Sequence, residues 1–481
     1  MAITMEEMAT FCKKKGLVYP SSEIYGGMSG FWDFGPLGVE LFSNIKSSFL
    51  KFFVQTRDNM VCIDASIISH PRTWVASGHV ANFNVNDYLV ACKKCKKSTK
   101  VDKPELGKIK CACGGEYDWD RAKIVEQMFK TKIGSDQTEA YLRGETAQGM
   151  FLNFKMVTDT WRIKLPFGIV QIGRCFRNEI APRDFIFRCR EFNIGEFEFF
   201  IHPKMEKCDI MSKEQLNLKI PLLSAETQDE GKSDMHEIAI KDMLKAKKLD
   251  EWHAYWLAEQ ARWLTSIGLK MKNLKIREHT KQELSHYSSA TFDLDYNYPF
   301  GSKEIGGNAN RGQYDLNQHM KESGKDLSYF DEETKEKVIP RVIEPTFGME
   351  RIFLAVLCEA YHDDKERGNI VLHLNPELAP IKCAVFPLIN KEGLPEMAQE
   401  ITKELKQHFN CQYDKSGSIG RRYARQDEMG TPYCITVDFD SLKNKDVTIR
   451  DRDTTKQKRI KISELKEKLV ELMNGTPFEK I

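Results

Sequence analysis

The sequence predicts an α+β fold followed by a smaller, separate α/β domain, and three observations carry that expectation. Alternating, aromatic-rich runs at Phe167 to Ile172 and Phe185 to Phe200, with a polar Ile180 to Asp184 loop between them, predict an antiparallel hairpin. Lys204 to Gln282 is charged, poor in glycine and helical in period, the pattern of an inserted helical subdomain. After a boundary signal at Asn375 to Pro380, strand-like and helix-like segments alternate to the end of the chain.

The remaining elements follow in order. Leu41, Ile45, Phe49 and Phe52 recur at helical spacing behind Pro36, so Leu37 to Val54 reads as one amphipathic helix. Val61, Ile63, Ala65 and Ile67 alternate as a strand does, and Pro71 closes it. Cys92 to Tyr117 is a lysine-rich insert with paired cysteines. Strand patterning returns at Thr291 to Tyr298 and Val338 to Ile343, and Gly348 to Tyr361 is a strongly apolar helix. The last segment offers an apolar run at Cys383 to Leu388, a helix at Leu394 to Phe409, strands at Tyr433 to Val437 and Asp446 to Arg450, and a terminal helix.

A chain of 481 residues has room for roughly three domains of ordinary size. Its 41% hydrophobic and 30% charged content is that of a soluble protein, and a net charge of +2 leaves any nucleic-acid contact to a local patch. The first sixteen residues mix acidic and basic side chains without an apolar segment, so neither a secretory signal nor a transit peptide is expected. Thirteen cysteines, among them Cys62, Cys358, Cys383 and Cys434 in apolar surroundings, fit buried thiols in a reducing cytoplasm.

The sharpest chemical signal is Phe176-Arg177-Asn178-Glu179, answered after a loop by Phe187, Arg188, Arg190, Glu191 and Phe192. Arginines offer planar paired donors to phosphate, a carboxylate accepts from an adenine amino group, and an aromatic ring stacks on the base. A lone Arg-x-Glu strand end equally suits a solvated hairpin with surface ion pairs. The second signal is Glu344-Pro345-Thr346-Phe347-Gly348-Met349-Glu350-Arg351, where a strand runs into a helix whose first turn presents Arg351 to an anion. Alone it is also an ordinary strand-to-helix turn. Cys92-Lys93-Lys94-Cys95 and Cys111-Ala112-Cys113 place two cysteines on each of two turns, enough thiolates for one tetrahedral Zn²⁺. Lys93, Lys94, Lys96 and Lys97 beside them suit an RNA contact or a solvated charged loop. There is no Gly-x4-Gly-Lys-Ser/Thr loop, and Met211-Ser212-Lys213 has no companion His-x-Gly-His.

Together the two signals resemble motifs 2 and 3 of class II aminoacyl-tRNA synthetases, and the segment from Leu37 to Pro71 resembles motif 1, the dimer element. Within that class the chain is similar to the homodimeric glycyl-tRNA synthetases over almost its whole length. The matching blocks are Tyr25-Gly26-Gly27, Gly30 to Gly38, Ser77-Gly78-His79, Arg143 to Gly149, Arg177 to Glu179, Arg190 to Phe192, Glu304-Ile305 through Arg311 to Leu316, Ser323 to Asp326, and Glu344-Pro345. Gly417 to Tyr423, Asp427, Gly430 to Pro432 and Val447 to Asp453 resemble the anticodon-binding domain that class IIa synthetases share.

The resemblance implies a central antiparallel sheet flanked by helices, with 1–91, 121–203 and 283–374 as catalytic core, 92–120 as a zinc-ribbon-like insert, 204–282 as a helical insert and 380–481 as the anticodon-binding domain. It implies ATP-dependent attachment of glycine to tRNA(Gly) through a glycyl-adenylate, by a cytoplasmic homodimer. Arg177 and Arg351 are then the catalytic pair, on the α- and γ-phosphates. The ATP set is Arg177, Asn178, Glu179, Phe187, Arg188, Arg190, Phe192, Glu304, Ile305, Gly348 and Arg351, with Mg²⁺ on Glu304. Arg143, Glu145, Glu196, Glu344 and Thr346 surround glycine, Cys92, Cys95, Cys111 and Cys113 hold zinc, and Arg421, Arg422 and Asp451 meet the anticodon. The family usually has serine at the Thr346 position, and His79 and His286 are expected to serve structure rather than proton transfer. Two rivals remain at this point: an inactive tRNA-binding paralogue, which should lack the phosphate arginines or the anticodon half, and another class IIa synthetase.

Overall fold

The computed structural model describes residues 3–82, 87–102, 106–124, 126–285 and 288–481, so His286 lies outside the described residues. At its centre is a nine-stranded sheet. In chain order its strands are β1 (Met60–Cys62), β2 (Phe167–Phe176), β3 (Glu191–Ile201), β4 (Lys219–Leu223), β5 (His236–Ala239), β6 (Leu274–Glu278), β7 (Ala290–Tyr298), β8 (Gly301–Gly312) and β9 (Arg341–Gly348). Their spatial order is β5-β4-β6-β7-β8-β9-β3-β2-β1.

The sheet is mixed rather than wholly antiparallel, because β1 lies parallel to β2 and β4 parallel to β6. Strands β6, β7, β8, β9, β3 and β2 are antiparallel throughout. Along β3 the side chains alternate as a pleated strand requires. Phe197, Phe199 and Ile201 enter the largest apolar cluster, while Phe200 packs into a second cluster under the Ala147–Trp161 helix. Glu196 and Glu198 share the face of Phe200, which makes that face the polar one.

The stretch from Lys204 to Gln282 corrects the expectation of an all-helical insert, since β4, β5 and β6 lie within it and extend the central sheet. Its Glu251–Ser266 helix lies against that sheet, with Trp252, Trp256 and Trp263 in the main core. Gln260 Nε2 donates to the Gly307 carbonyl at 2.8 Å, and His253 Nε2 lies 3.1 Å from the Asn308 carbonyl. Two buried polar side chains of this helix thus bond to the backbone of β8.

Other boundaries moved for local reasons. The helix over Pro36–Leu50 continues as a π turn to Gln55. The strand expected to run to Ile67 stops at Cys62, because the Ala65 carbonyl is taken by side chains: Arg143 Nη1 at 2.6 Å and Gln171 Nε2 at 3.4 Å. Pro71 opens a short helix, Pro71–Ala76. The returning strand of the hairpin begins at Glu191 and not at Phe185. Phe185–Phe187 is a 3₁₀ turn entered through left-handed Asp184, and the apolar character of Phe185 serves an edge-on contact with Trp32 at 4.9 Å. Cys62, expected to be buried, is exposed, and Cys358 is half-buried.

The C-terminal residues form a five-stranded sheet ordered Cys411–Tyr413, Cys383–Pro387, Tyr433–Val437, Asp446–Asp451, Gln457–Lys461, with its own apolar core. It is joined to the rest by buried Arg452, which donates to the Gly430 carbonyl at 2.8 Å and the Leu374 carbonyl at 2.7 Å. Arg367 donates back to the Arg452 carbonyl at 2.8 Å, and His373 Nδ1 lies 2.6 Å from Asp453. Among the described residues no helix is long and apolar enough to cross a membrane.

Candidate active site

The hairpin β2–β3, the end of β9 and the start of the Met349–Ala360 helix enclose a cleft lined by Arg177, Glu179, Phe187, Arg188, Phe192, Glu304, Thr346, Gly348 and Arg351, with Glu350 and Cys189 also in its wall. Arg177 lies just beyond β2. Its Nε donates to the Gly144 carbonyl at 3.0 Å and its guanidinium lies 5.5 Å from the centre of the Phe192 ring. Arg351 mirrors it, 4.6 Å from the Phe187 ring and donating through Nη1 to the Glu304 carbonyl at 2.9 Å. Each arginine is therefore laid on an aromatic face, which fixes the plane of its fork. Glu304 is exposed, and its carboxylate lies 3.3 Å from Arg351.

Glu179 accepts from Arg188 at 2.7 Å, and Arg190 donates to the Glu179 carbonyl at 2.9 Å, so the loop after β2 is drawn onto its own returning strand. Asn178 is turned away from the cleft. Its amide donates to the Glu126 carbonyl at 3.2 Å and its backbone N–H to the Gln127 carbonyl at 2.7 Å. Ile305, expected beside ATP, points its side chain into the core, as strand alternation after exposed Glu304 requires.

Behind the cleft lies a buried layer of carboxylates. Registry sets Glu196 opposite Thr346 on β9. The Glu196 carboxylate accepts from the Thr146 N–H at 2.7 Å, from the Thr146 hydroxyl, and from the Thr346 hydroxyl at 3.3 Å. Thr346 also lines the cleft, so it joins the two compartments. Glu145 Oε2 is 3.0 Å from His79 Nε2, and Gln148 Nε2 donates to the other Glu145 oxygen at 3.0 Å. His79, 2.7 Å from Ser77 Oγ through its Nδ1, is a structural orienter of Glu145.

Arg311 anchors this layer. It donates twice to Asp315, at 2.7 Å each, and once to Glu344 at 2.7 Å, with all three residues buried. Gln148 extends the network, donating to Asp315 at 3.1 Å and lying 2.7 Å from His319. Arg143 is buried too, but it donates to backbone, to the Arg174 carbonyl at 2.7 Å and to the Ala65 carbonyl at 2.6 Å. It forms the wall of the layer.

Sequence reasoning missed Arg311, Asp315, Gln148 and Glu198 as site residues. The four-residue spacing of Arg311 and Asp315 was a visible ion-pair signal. Nothing local marked Glu198, which is wholly buried, with no partner for either carboxylate oxygen among the described residues.

The charges interact. Burial pushes the Glu145 carboxyl up, but the neighbouring His79 and then Arg311 outweigh it and hold the group well below its ordinary value. Burial, then Glu145, raises Glu196, and burial with Glu344 raises Glu198 far more. Burial pushes Glu344 up to about 8 against the pull of Arg311.

The paired cysteines converge. Sγ of Cys92 and Cys113 are 3.6 Å apart, as are those of Cys95 and Cys111, and all four lie within 4.8 Å of one another. The first turn closes through the Cys92 N–H on the Lys97 carbonyl at 2.9 Å, the second through the Cys111 N–H on the Gly115 carbonyl at 3.0 Å. A Cβ on Gly115 would sit 2.8 Å from Cys92 Sγ, so only glycine lets the shortened Cys-x-Cys turn reach the other pair. The Cys113 N–H draws the Cys111 thiol down to about 6, into the thiolate range. This donor set fits Zn²⁺.

In the C-terminal domain, Arg421 is exposed at the start of the Ile419–Met429 helix. Its two companions turn inward, contrary to expectation. Arg422 is buried and donates to the Pro387 and Gly417 carbonyls, and Asp451 caps a turn by accepting from Thr454 at 2.7 Å. Both terminal nitrogens of this buried guanidinium are thus bonded to backbone carbonyls.

Comparison with known proteins agrees with the geometry. Residues 382–472 match the family model described as an anticodon binding domain. The chain is 44% identical to the glycine–tRNA ligase of Geobacillus kaustophilus over 97% of this chain and 98% of that one. It is 43% identical to that of Caldanaerobacter subterraneus over 98% of each chain, and 42% identical to that of Borrelia hermsii over 96% of each. The chain belongs to the glycine–tRNA ligase family.

The Glu344 shift has a sign that can be measured. The folded protein retains a proton on Glu344 that the unfolded chain gives up near its ordinary value of 4.5, so stability falls as pH rises from there through about 8. Thermal unfolding of wild type and Glu344→Gln should diverge with rising pH, the wild type losing about 2 °C or more relative to the variant between pH 5 and 8.5. Parallel profiles would show that Glu344 is charged throughout.

Proposed function

We propose that this chain attaches glycine to the 3′ end of tRNA(Gly) through a glycyl-adenylate, using a catalytic core of the class II type. The observation that carries the reading is Thr346, which belongs at once to the arginine-lined cleft and to the Glu196 carboxylate pair. A nucleotide in the cleft and an ammonium group on Glu196 are thereby held side by side, as joining a carboxylate to a phosphate requires.

In this reading Arg177 binds the α-phosphate and Arg351 the γ-phosphate, with adenine against Phe192 and its amino group on Glu179. Arg188 orients Glu179. Glycine offers an ammonium and a carboxylate and no side chain, so Glu196, Glu145 and Thr346 grip the ammonium from several sides. The glycine carboxylate oxygen attacks the α-phosphorus, the bond to the bridging oxygen breaks and pyrophosphate leaves. A terminal ribose hydroxyl of the tRNA then attacks the carbonyl carbon, loses its proton, and AMP departs. Positioning and charge neutralisation by the arginines account for the rate, with no side-chain nucleophile. Glu304, exposed at the cleft wall beside Arg351, fits a magnesium ion, whose charge would offset that of the phosphates. The four cysteines would hold a structural zinc that fixes the insert. Arg421 and the matched C-terminal residues serve anticodon contact.

Dimerisation through the Pro36–Leu50 helix and the strand after it belongs to the same proposal, as does action in the cytoplasm. Val39 and Leu50 are exposed on that helix, among Glu40, Ser43 and Ser47.

Arg177→Ala should lower glycine-dependent ATP–pyrophosphate exchange about a hundredfold or more, the value of a charge-assisted contact made to the transferring phosphate. Exchange within fivefold of wild type would remove Arg177 from the α-phosphate. Purified protein should carry about one zinc per chain, and Cys92→Ser with Cys95→Ser should release it and weaken tRNA charging more than exchange. Wild type free of zinc would defeat the metal assignment.

A further inference from the structure

The two most exposed large apolar side chains among the described residues, Ile24 and Tyr25, lie on one 3₁₀ turn at the tip of a short ribbon. Val18–Pro20 pairs with Trp32–Phe34, and in the loop between them Ile24 is 88%, Tyr25 87% and Met28 56% exposed. A mobile loop could shed such groups into water at little cost, but this one is bonded throughout. The Tyr25 N–H donates to the Ser22 carbonyl at 2.9 Å, Gly26 to Glu23 at 2.9 Å, Gly27 to Ser22 at 3.1 Å, and Met28 to Ser21 at 3.2 Å. A rigid loop that holds three large apolar groups in solvent keeps a surface ready for a partner.

Its location identifies the partner's chemistry. The Gly30 carbonyl accepts from the Arg190 N–H at 2.8 Å, and the Ser29 carbonyl accepts from Arg190 Nη1 at 2.9 Å. The same Arg190 holds the Glu179 carbonyl. A Cβ on Gly30 would fall 2.7 Å from Pro182, so the loop lies flush on the outer side of the hairpin loop whose inner side lines the cleft. Exposed Arg183 on that hairpin loop, beside Asp184, and Lys13, paired with Glu23 of the loop, are the cations alongside. An aromatic ring and aliphatic groups, flanked by cations, at the rim of a site that an RNA end must enter suit unpaired bases and their phosphates.

We propose that the loop spanning 21–31 is a platform for the unpaired 3′ end of the tRNA, with Tyr25 stacking on one of its bases and setting the approach of the terminal hydroxyl. This rests on the assignment of the Arg177–Arg351 cleft as the site of adenylate formation. The platform acts in the second step only.

Tyr25→Ala removes no packing, because the ring is in solvent. It should raise the KM for tRNA or slow single-turnover transfer from preformed glycyl-adenylate by about tenfold or more, as loss of a stacked base does. Glycine-dependent pyrophosphate exchange should stay within twofold of wild type, and Tyr25→Phe should restore transfer. Transfer unchanged in both Tyr25→Ala and Ile24→Ala/Tyr25→Ala would overturn the proposal. So would equal loss of transfer and exchange, which would make the loop a support of the cleft, or a change in sedimentation from dimer to monomer, which would make it a subunit contact. Exchange that survives both Tyr25→Ala and Arg177→Ala would instead count against the cleft assignment.

Discussion

The site depends on one buried guanidinium. Arg311 has almost no solvent contact, and its donors are distributed between Asp315, four residues along the chain, and Glu344 on the neighbouring strand. A charge removed from water is tolerated only when paired and bonded, and breaking such a pair costs about 3–5 kcal/mol because the partner is left uncompensated. Arg311 therefore fixes three elements together: β8, β9 and the Tyr314–Ser323 helix. Through Asp315 and Gln148 the constraint reaches Glu145, and through β9 it reaches Thr346 and Glu196.

An excess of carboxyl groups over cations is the working property of this layer. Glu145, Glu196, Glu198, Glu344 and Asp315 face one fully engaged arginine, while Arg143 spends its donors on carbonyls. Burial foremost, with neighbouring carboxylates adding to it, raises the Glu196, Glu198 and Glu344 carboxyls, and a small ammonium placed among them favours their charged forms. Across Thr346 lies the cleft where Arg177 and Arg351 rest on aromatic rings. Strand pairing sets the distance between the two, so their alignment needs no moving part. In this account the amino acid is recognised by its charge, and size selection falls to the walls.

Much of this was legible in the sequence. Strong apolar alternation on β2 and β3 named the hairpin, and the arginines at its ends, ambiguous by themselves, named the cleft once the Glu344 to Arg351 segment was taken with them. Glu196 and Thr346 were found by resemblance, and the structure sets them opposite each other. The failures also have physical causes. The Lys204 to Gln282 stretch reads as helical because β4, β5 and β6 are short and lie toward a sheet edge, where polar and charged residues dilute the alternation. Phe185 reads as strand since a buried aromatic looks alike in a strand and in a turn packed on Trp32. Arg422 and Asp451 read as surface residues because nothing in a motif reveals that a side chain folds back onto its own backbone. Arg311 was seen, but its role was not: it lies near the end of β8 while Asp315 opens the next helix, and only the fold brings Glu344 to it.

The most direct test of the carboxylate layer as the amino-acid site is Glu196→Gln, which keeps the shape and the bonds from Thr146 while removing the charge. Measured by pyrophosphate exchange, the variant should show a glycine KM raised about tenfold or more with the ATP KM within twofold of wild type. An unchanged glycine KM, or an equal rise in both constants, would contradict the assignment of the ammonium to Glu196.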